Sequence, residues 1–270
     1  MLTNESASGM PVPLVCEGVL SRSVRDTAHF LAGAERYRRS RMWPPLGLIE
    51  APARRRLRVG VLHESIFGDT LCAHTKAVLA DTVALLESLG HRCVSASQPV
   101  GLSFVDDFAD YWGMLAFLVS SLGRILFGAG FDASRLDSFT RGLAALYRRH
   151  AWRTPGFIYR LRRSWQQHIS WMKAYDVVLS PVLGHAVAPL GDFGPGQPFE
   201  QLFERILRYV CFTPINNANG SPAIALPLGS SLAGLPLGMQ FTAAHGDERT
   251  LLELAYELEQ AKPWPLLHTA

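Results

Sequence analysis

Residues 212–222 read FTPINNANGSP, the densest run of groups in this chain that could do chemistry. Asn216, Asn217 and Asn219, with Gly220 and Ser221, offer amide, hydroxyl and backbone N–H groups just before the apolar run AIALPL. Polar groups at the end of a strand are a usual place for a small-molecule site in α/β proteins. Asn-Gly and Ser-Pro also favour turns whatever the function, so a well-made turn fits the same composition.

Other chemistries lack their residues. After the apolar run RVGVL the sequence continues HESIFGDT, without a G-x-G-x-x-G fingerprint or a phosphate-binding loop. No G-x-S-x-G elbow presents a serine nucleophile. His63, His74, His91, His185 and His245 are dispersed singly, mostly beside turns, and read as surface or hydrogen-bonded histidines. Cys16, Cys72, Cys93 and Cys211 form no C-x-x-C pair and have no histidine at zinc-ligand spacing. No metal and no cofactor is expected. One basic stretch stands out, with Arg141, Arg148, Arg149, Arg153, Arg160, Arg162 and Arg163 interleaved with Tyr147, Trp152, Tyr159 and Trp165. Such a pattern can bind nucleic acid or an anionic surface. It is also what the solvated side of helices looks like when Leu143, Leu146, Phe157, Ile158 and Leu161 supply the apolar face.

The elements that must position these groups follow from periodicity. A Ser-x-x-Asp box at Ser23 and Asp26 starts a helix with Val24, Ala28, Leu31 and Ala32 on one face. RVGVL (58–62), a helix from about His74 and RCVS (92–95) make a β-α-β unit, with Gly90 suited to close the helix. From 104 to about 173 the pattern is mostly helical. DVVLS (176–180) is a strand, and a short helix runs from about Phe199 to Val210. Residues 212–222 are expected as a loop entering a buried strand, 223–227, paired with 237–241. Asp247 caps a last helix with Leu251, Leu254, Ala255 and Leu258 on its core face.

Composition sets the frame. With 270 residues, 48% hydrophobic and 18% charged, the chain can bury a sizeable core. A net charge of +3 identifies no nucleic-acid or membrane partner. The uncharged run YWGMLAFLVSSLG (111–123) is shorter than the roughly 20 residues a spanning helix needs, and reads as a buried core helix. Scattered cysteines and a small, polar N-terminus suit a reducing compartment, so a cytoplasmic location is expected.

Three stretches in order carry a resemblance. GVLSRSVRDT (18–27), DVVLSP (176–181) and the run from FTPINNANGSPAIALPLG through GLPLGMQF to GDERTLLELAYELEQAKPW (212–264) resemble the amidase-signature hydrolases. DDFADYWGMLAF (106–117) and FTPINNANG resemble, within that family, the amidases related to 6-aminohexanoate-cyclic-dimer hydrolase. The resemblance implies a single α/β/α domain with a mixed sheet covered by helices. It also implies amide hydrolysis by a Ser–cis-Ser–Lys triad, with glycine-rich backbone N–H groups on the oxyanion.

Those catalytic residues belong to a Gly/Ser-rich segment and a lysine that lie N-terminal to the stretch matched here. Ser6-Ala7-Ser8-Gly9 lacks the paired glycines, and the first lysine is Lys76, inside the β-α-β helix. No catalytic residue carries over. The expectation is an irregular N-terminus over residues 1–12, then the C-terminal portion of an amidase domain over 13–270, lacking the catalytic half. By resemblance, Tyr111, Trp112, Phe117, Thr213, Asn216 and Asn217 are expected to wall the substrate pocket. Expected partners are a separately encoded N-terminal amidase half or a second copy, with a small amide as substrate only once the site is completed. Neither nucleic acid nor membrane is expected. The alternative is a non-enzymatic binding module using the arginine-rich helices 141–163, which salt-dependent binding would reveal.

Overall fold

The computed structural model describes residues 9–16, 18–68, 71–194 and 196–265. Most of the expected irregular N-terminus lies outside the described residues. Five strands, β1 (Arg58–Leu62), β2 (Arg92–Ala96), β3 (Val177–Pro181), β4 (Ala223–Ser230) and β5 (Pro236–Ala243), form one sheet in the order β2-β1-β3-β5-β4. β1 runs parallel to β2 and β3, whereas β5 is antiparallel to β3 and β4. The helices are α1 (Val24–Tyr37), α2 (Ala73–Ser88), α3 (Ser103–Phe127), α4 (Ser138–His150), α5 (Thr154–Met172), α6 (Phe199–Tyr209), α7 (Pro214–Asn219) and α8 (Glu248–Ala261). This is the α/β class with a mixed sheet and helical cover.

Local chemistry explains most element boundaries. The Ser23 hydroxyl accepts the Asp26 N–H at the start of α1, and the Asp247 carboxylate accepts the Thr250 N–H at the start of α8. Val24 and Ala28 of α1 and Leu251, Leu254, Ala255 and Leu258 of α8 join Val59, Val61, Val177, Leu179 and Phe241 in one core. Every residue of β3 is buried, as suits an apolar strand covered on both faces. Gly90 follows α2 at φ +89°, where a side chain would be strained.

Residues 212–222 are not the expected loop. Pro214 opens α7 as its first helical residue, and Gly220 closes it at φ +73°, donating to the Asn216 carbonyl at 2.8 Å. The Asn-Gly pair that suggests a turn serves here as a helix stop. β4 pairs with β5 as expected, with Ile224 opposite Phe241 and Leu226 opposite Met239. It is not a buried strand, however. Leu226 and Leu228 point into the core, whereas Ala223, Ala225 and Pro227 are exposed, and β4 is the edge of the sheet. Edge position also explains how a proline is tolerated.

In the uncharged run on α3 burial is concentrated in the first half, with Gly123 buried again at its end. Tyr111, Met114 and Ala116 are covered, but Leu122 and, beyond the run, Ile125 and Phe127 are exposed. Among the described residues no helix is long and apolar enough to cross a membrane. The arginine-rich stretch turns partly inward. Arg160 grips buried Asp107 through two hydrogen bonds, Arg153 and His150 hold buried Asp110, and the Arg148 guanidinium sits over the Phe117 ring.

Candidate functional site

A groove of about 310 Å³ opens between α7, the first residues of β4, α8 and the segment leading into α1. Thr213, Asn216, Asn217, Ser221, Ala223 and Gln240 line one side, with Cys16, Gly18 and Thr27 opposite and Glu248 at its end. α7 is short, but Pro214 at its start and the Gly220 stop at its end set where its asparagines face. Asn216 is buried and gives both amide hydrogens away, to Ser221 Oγ at 2.9 Å and Thr242 Oγ1 at 3.0 Å. Its Oδ1 accepts from Gln240 Nε2 at 3.1 Å. The Asn219 side chain accepts the Ser221 N–H at 2.8 Å, which fixes the turn into β4. The Asn216 side chain is fully bonded and thereby held rigidly, whereas the buried Asn219 Nδ2 meets no partner. Each hydroxyl that accepts a bond can still donate one, and Gln240 has a second N–H. The groove can therefore present oriented donors to a carbonyl.

The expected pocket-wall residues divide. Thr213, Asn216 and Asn217 come together at the groove, whereas Tyr111, Trp112 and Phe117 do not line it. Asn217 also spends its amide on the Leu14 carbonyl, at 2.8 Å. Tyr111 is fully buried, and its hydroxyl accepts the Val12 N–H at 3.1 Å and donates to the Val12 carbonyl at 2.7 Å. Arg162 Nε donates to the Pro11 carbonyl at 3.0 Å. Tyr111, Arg162 and Asn217, from three different helices, thus clamp residues 11–14 and lead the chain to the groove at Cys16. Trp112 packs instead against Phe139 and Phe203, and Phe117 against Tyr147.

The clamp is testable. Val12 is buried, and its carbonyl also accepts the Leu14 N–H at 2.9 Å, so Tyr111→Phe strands the Val12 N–H alone, at a cost of about 2 kcal/mol. Amide exchange at Val12 is expected to accelerate while the β3 amides keep their protection. Unchanged exchange at Val12 would show that the hydroxyl holds nothing.

Sequence spacing missed one pair. His168 on α5 and His245 after β5 lie with ring centroids 4.9 Å apart. His168 Nε2 donates to the Ala243 carbonyl at 3.0 Å, and His245 Nε2 to the Asn219 carbonyl at 2.8 Å. The pair ties α5, the end of β5 and the end of α7 into one unit behind the groove. Burial holds the His168 pKa down to about 4 and lowers that of His245 as well. Trp165 and Trp171 beside them are the only local hint of such a packed environment. His91 fits the expectation of a hydrogen-bonded histidine. Its Nδ1 accepts the Leu57 N–H and its Nε2 meets Glu257 at 3.0 Å.

What the groove can do follows from its inventory. Its amides and hydroxyls orient a carbonyl group but do not move a proton at neutral pH; Cys16, whose thiol burial pushes up, and Glu248 are the titratable side chains on its wall. No lysine lines the groove, and the Lys262 Nζ donates to the Leu228 carbonyl at 2.6 Å. Among the described residues no group of three or more His, Cys, Asp or Glu side chains could hold a metal.

Comparison with known proteins places this arrangement. Residues 3–252 match the amidase family. A Mycobacterium leprae protein named as amidase AmiC is 42% identical over 257 residues, covering 94% of this chain and 54% of that protein. The 6-aminohexanoate-cyclic-dimer hydrolase of a Pseudomonas species is 29% identical, over 92% of this chain and 54% of its own length. The solved structure of 6-aminohexanoate cyclic dimer hydrolase with its substrate superposes with a TM-score of 0.77. It is 26% identical and covers 90% of this chain and 54% of that one. A bacterial aryl acylamidase shares the fold, with a TM-score of 0.68. The chain spans about half the length of the curated relatives it matches. On sequence and fold together, the chain belongs to the amidase family.

Proposed function

We propose that these residues form the substrate-side portion of a carboxamide hydrolase, and that the reacting groups come from polypeptide outside them. The observation that carries this reading is the groove itself. Ser221 and Gln240, held in place by Asn216, keep donors for a carbonyl, with Thr213 and Asn217 on the same wall, yet no lysine stands beside a serine there. A Ser–Ser–Lys relay needs that lysine to start the proton transfer. In this reading Thr213, Asn216 and Asn217 wall the amide pocket. Tyr111 and Asn217 fix the strap that borders it, and Trp112 and Phe117 stiffen the helical layer behind. The 54% coverage of the longer relatives is consistent with a catalytic portion outside these residues.

The expected result is that purified chain alone hydrolyses simple aliphatic, aromatic and 6-aminohexanoate amides no faster than buffer. Turnover that survives repurification and disappears in Ser221→Ala would overturn the reading, because a nucleophile would then reside here.

A further inference from the structure

Positive charge in this chain is concentrated in one stretch. Residues 22–58 hold ten arginines against Asp26, Glu35 and Glu50, so they are more positive than the whole chain at +3. Everything outside that stretch is therefore net acidic, and the whole-chain value averages two opposite parts. The fold gathers much of the stretch along α8. α1 buries Val24, Ala28 and Ala32, and the Val24 N–H donates to Glu259 of α8 at 2.9 Å. Where the chain turns back, the Glu35 carboxylate accepts the Leu46 N–H at 2.7 Å and the Gly47 N–H at 2.8 Å. Arg249 and Tyr256 of α8 then donate to the Leu46 and Ile49 carbonyls.

What faces water there is a mixture of arginines and apolar side chains. Arg25, Arg55 and Arg56 meet Asp26, Asp176 and Glu257. Arg36, Arg39 and Arg41 are exposed and form no salt bridge among the described residues. Beside them Tyr37 is 93% exposed and Met42 73%, with Phe30 and Leu48 exposed as well. Helical spacing sets Phe30 and Tyr37 opposite the buried Val24, Ala28 and Ala32. Single apolar side chains on a surface are ordinary, but these stand among unpaired arginines. A strand of nucleic acid would engage the arginines and stack on Tyr37, and would leave Phe30, Met42 and Leu48 in water. A membrane surface engages both classes, its phosphates with the guanidiniums and its interface with the apolar groups.

We propose that the outer face of α1, with residues 38–42 after it, is a docking surface for an anionic lipid bilayer. Arg36, Arg38, Arg39 and Arg41 lie against the headgroup phosphates, while Phe30, Tyr37 and Met42 enter the interface. The contact is peripheral, since among the described residues no helix is long and apolar enough to cross. It replaces the expectation of no membrane partner, which rested on whole-chain charge and on the uncharged run of α3. It stands apart from the hydrolase reading and survives if that reading fails.

The test is cosedimentation of the purified chain with vesicles of phosphatidylcholine, alone or mixed with phosphatidylserine. Binding to the mixed vesicles is expected to be stronger by about tenfold or more, and to weaken as salt is raised. At about fivefold per arginine, Arg36→Gln, Arg39→Gln and Arg41→Gln together should weaken it about 100-fold. Tyr37→Ser with Met42→Ser should also weaken it, and leave its salt dependence in place. Arg141→Gln with Arg149→Gln, from the other basic stretch, should change nothing. All of these side chains are exposed, so circular dichroism should stay as it is. Equal partition onto neutral and mixed vesicles, or none onto either, would overturn the proposal. So would tighter binding to a single-stranded oligonucleotide, which would assign the face to nucleic acid, or a loss that follows Arg141 and Arg149 instead. The comparison of the two vesicles uses the unaltered chain, so it decides even if a variant misfolds.

Discussion

Arg160→Ala is expected to be among the most damaging single substitutions in the helical layer, costing about 3 kcal/mol or more. Arg160 meets Asp107 as a two-point fork, with Nε to Oδ2 at 2.8 Å and a terminal nitrogen to Oδ1 at 2.6 Å. The Asp107 side chain is only 4% exposed, whereas that of Arg160 is 46% exposed. The two partners are therefore unequal. Removing the aspartate frees an arginine that can turn to water, but removing the arginine leaves a carboxylate buried on α3. The penalty comes from that stranded charge rather than from the value of the pair, since replacing both partners by apolar residues is often nearly neutral. Arg160→Ala should lower the urea midpoint without changing the slope, and for a protein of this size lower Tm by about 10 °C. The double substitution Asp107→Leu with Arg160→Met should recover most of the loss. If Arg160→Ala costs under 1 kcal/mol, the pair behaves as a surface ion pair and the account fails.

That pair also marks where sequence reasoning runs short. Asp106, Asp107 and Asp110 read as charges that close off the uncharged run of α3. Asp107, Asp110, Tyr111 and Met114 in fact share the buried face at three- and four-residue spacing. Two carboxylates enter the core there because arginines from a later helix and its preceding turn reach them, and no local window contains both partners. Elements that depend on local chemistry are legible. The β-α-β unit, the Ser23 and Asp247 caps and the stop at Gly90 all follow from spacing within a few residues. α7 is too short to show a period, and its Pro214 and Gly220 signals coincide with those of a turn. The exposure of β4 depends on what lies beside it in space, so AIALPL reads the same whether or not that neighbour is present. Of the groove, Asn216 and Asn217 are visible as a cluster, whereas the Gln240 and Thr242 partners of Asn216 come from β5. The pairing of His168 with His245 joins residues far apart in the chain, and Trp165 and Trp171 beside His168 hint at a packed environment without naming the partner.

Acid is expected to loosen the fold through that pair. His168 is buried, and with Nε2 donating to the Ala243 carbonyl, its Nδ1 holds no proton in the neutral ring. Charging the ring means burying a cation beside His245 and Trp171. Desolvation, with a smaller contribution from His245, outweighs the Ala243 bond and places the folded pKa at about 4, against 6.5 in the unfolded chain. The unfolded state therefore binds the extra proton first. Above pH 6.5 this group leaves stability unchanged. Between 6.5 and about 4 stability falls as acid is added, by at most about 1.4 kcal/mol per pH unit. By pH 4.5 the loss from His168 amounts to about 2–3 kcal/mol, and below 4 it levels off. His245 is shifted the same way by burial, with Glu248 opposing, so the two losses add in sign. Other groups also titrate in this window, so the comparison must be with a variant. His168→Gln keeps an N–H for the Ala243 carbonyl and cannot be charged. It should be somewhat less stable than the unaltered chain at pH 7 and lose about 2–3 kcal/mol less on going to pH 4.5. Urea midpoints at the two pH values measure the difference directly. Parallel losses in the two proteins would mean that His168 is solvated in the fold, and the buried tie between α5, β5 and α7 would have to be given up.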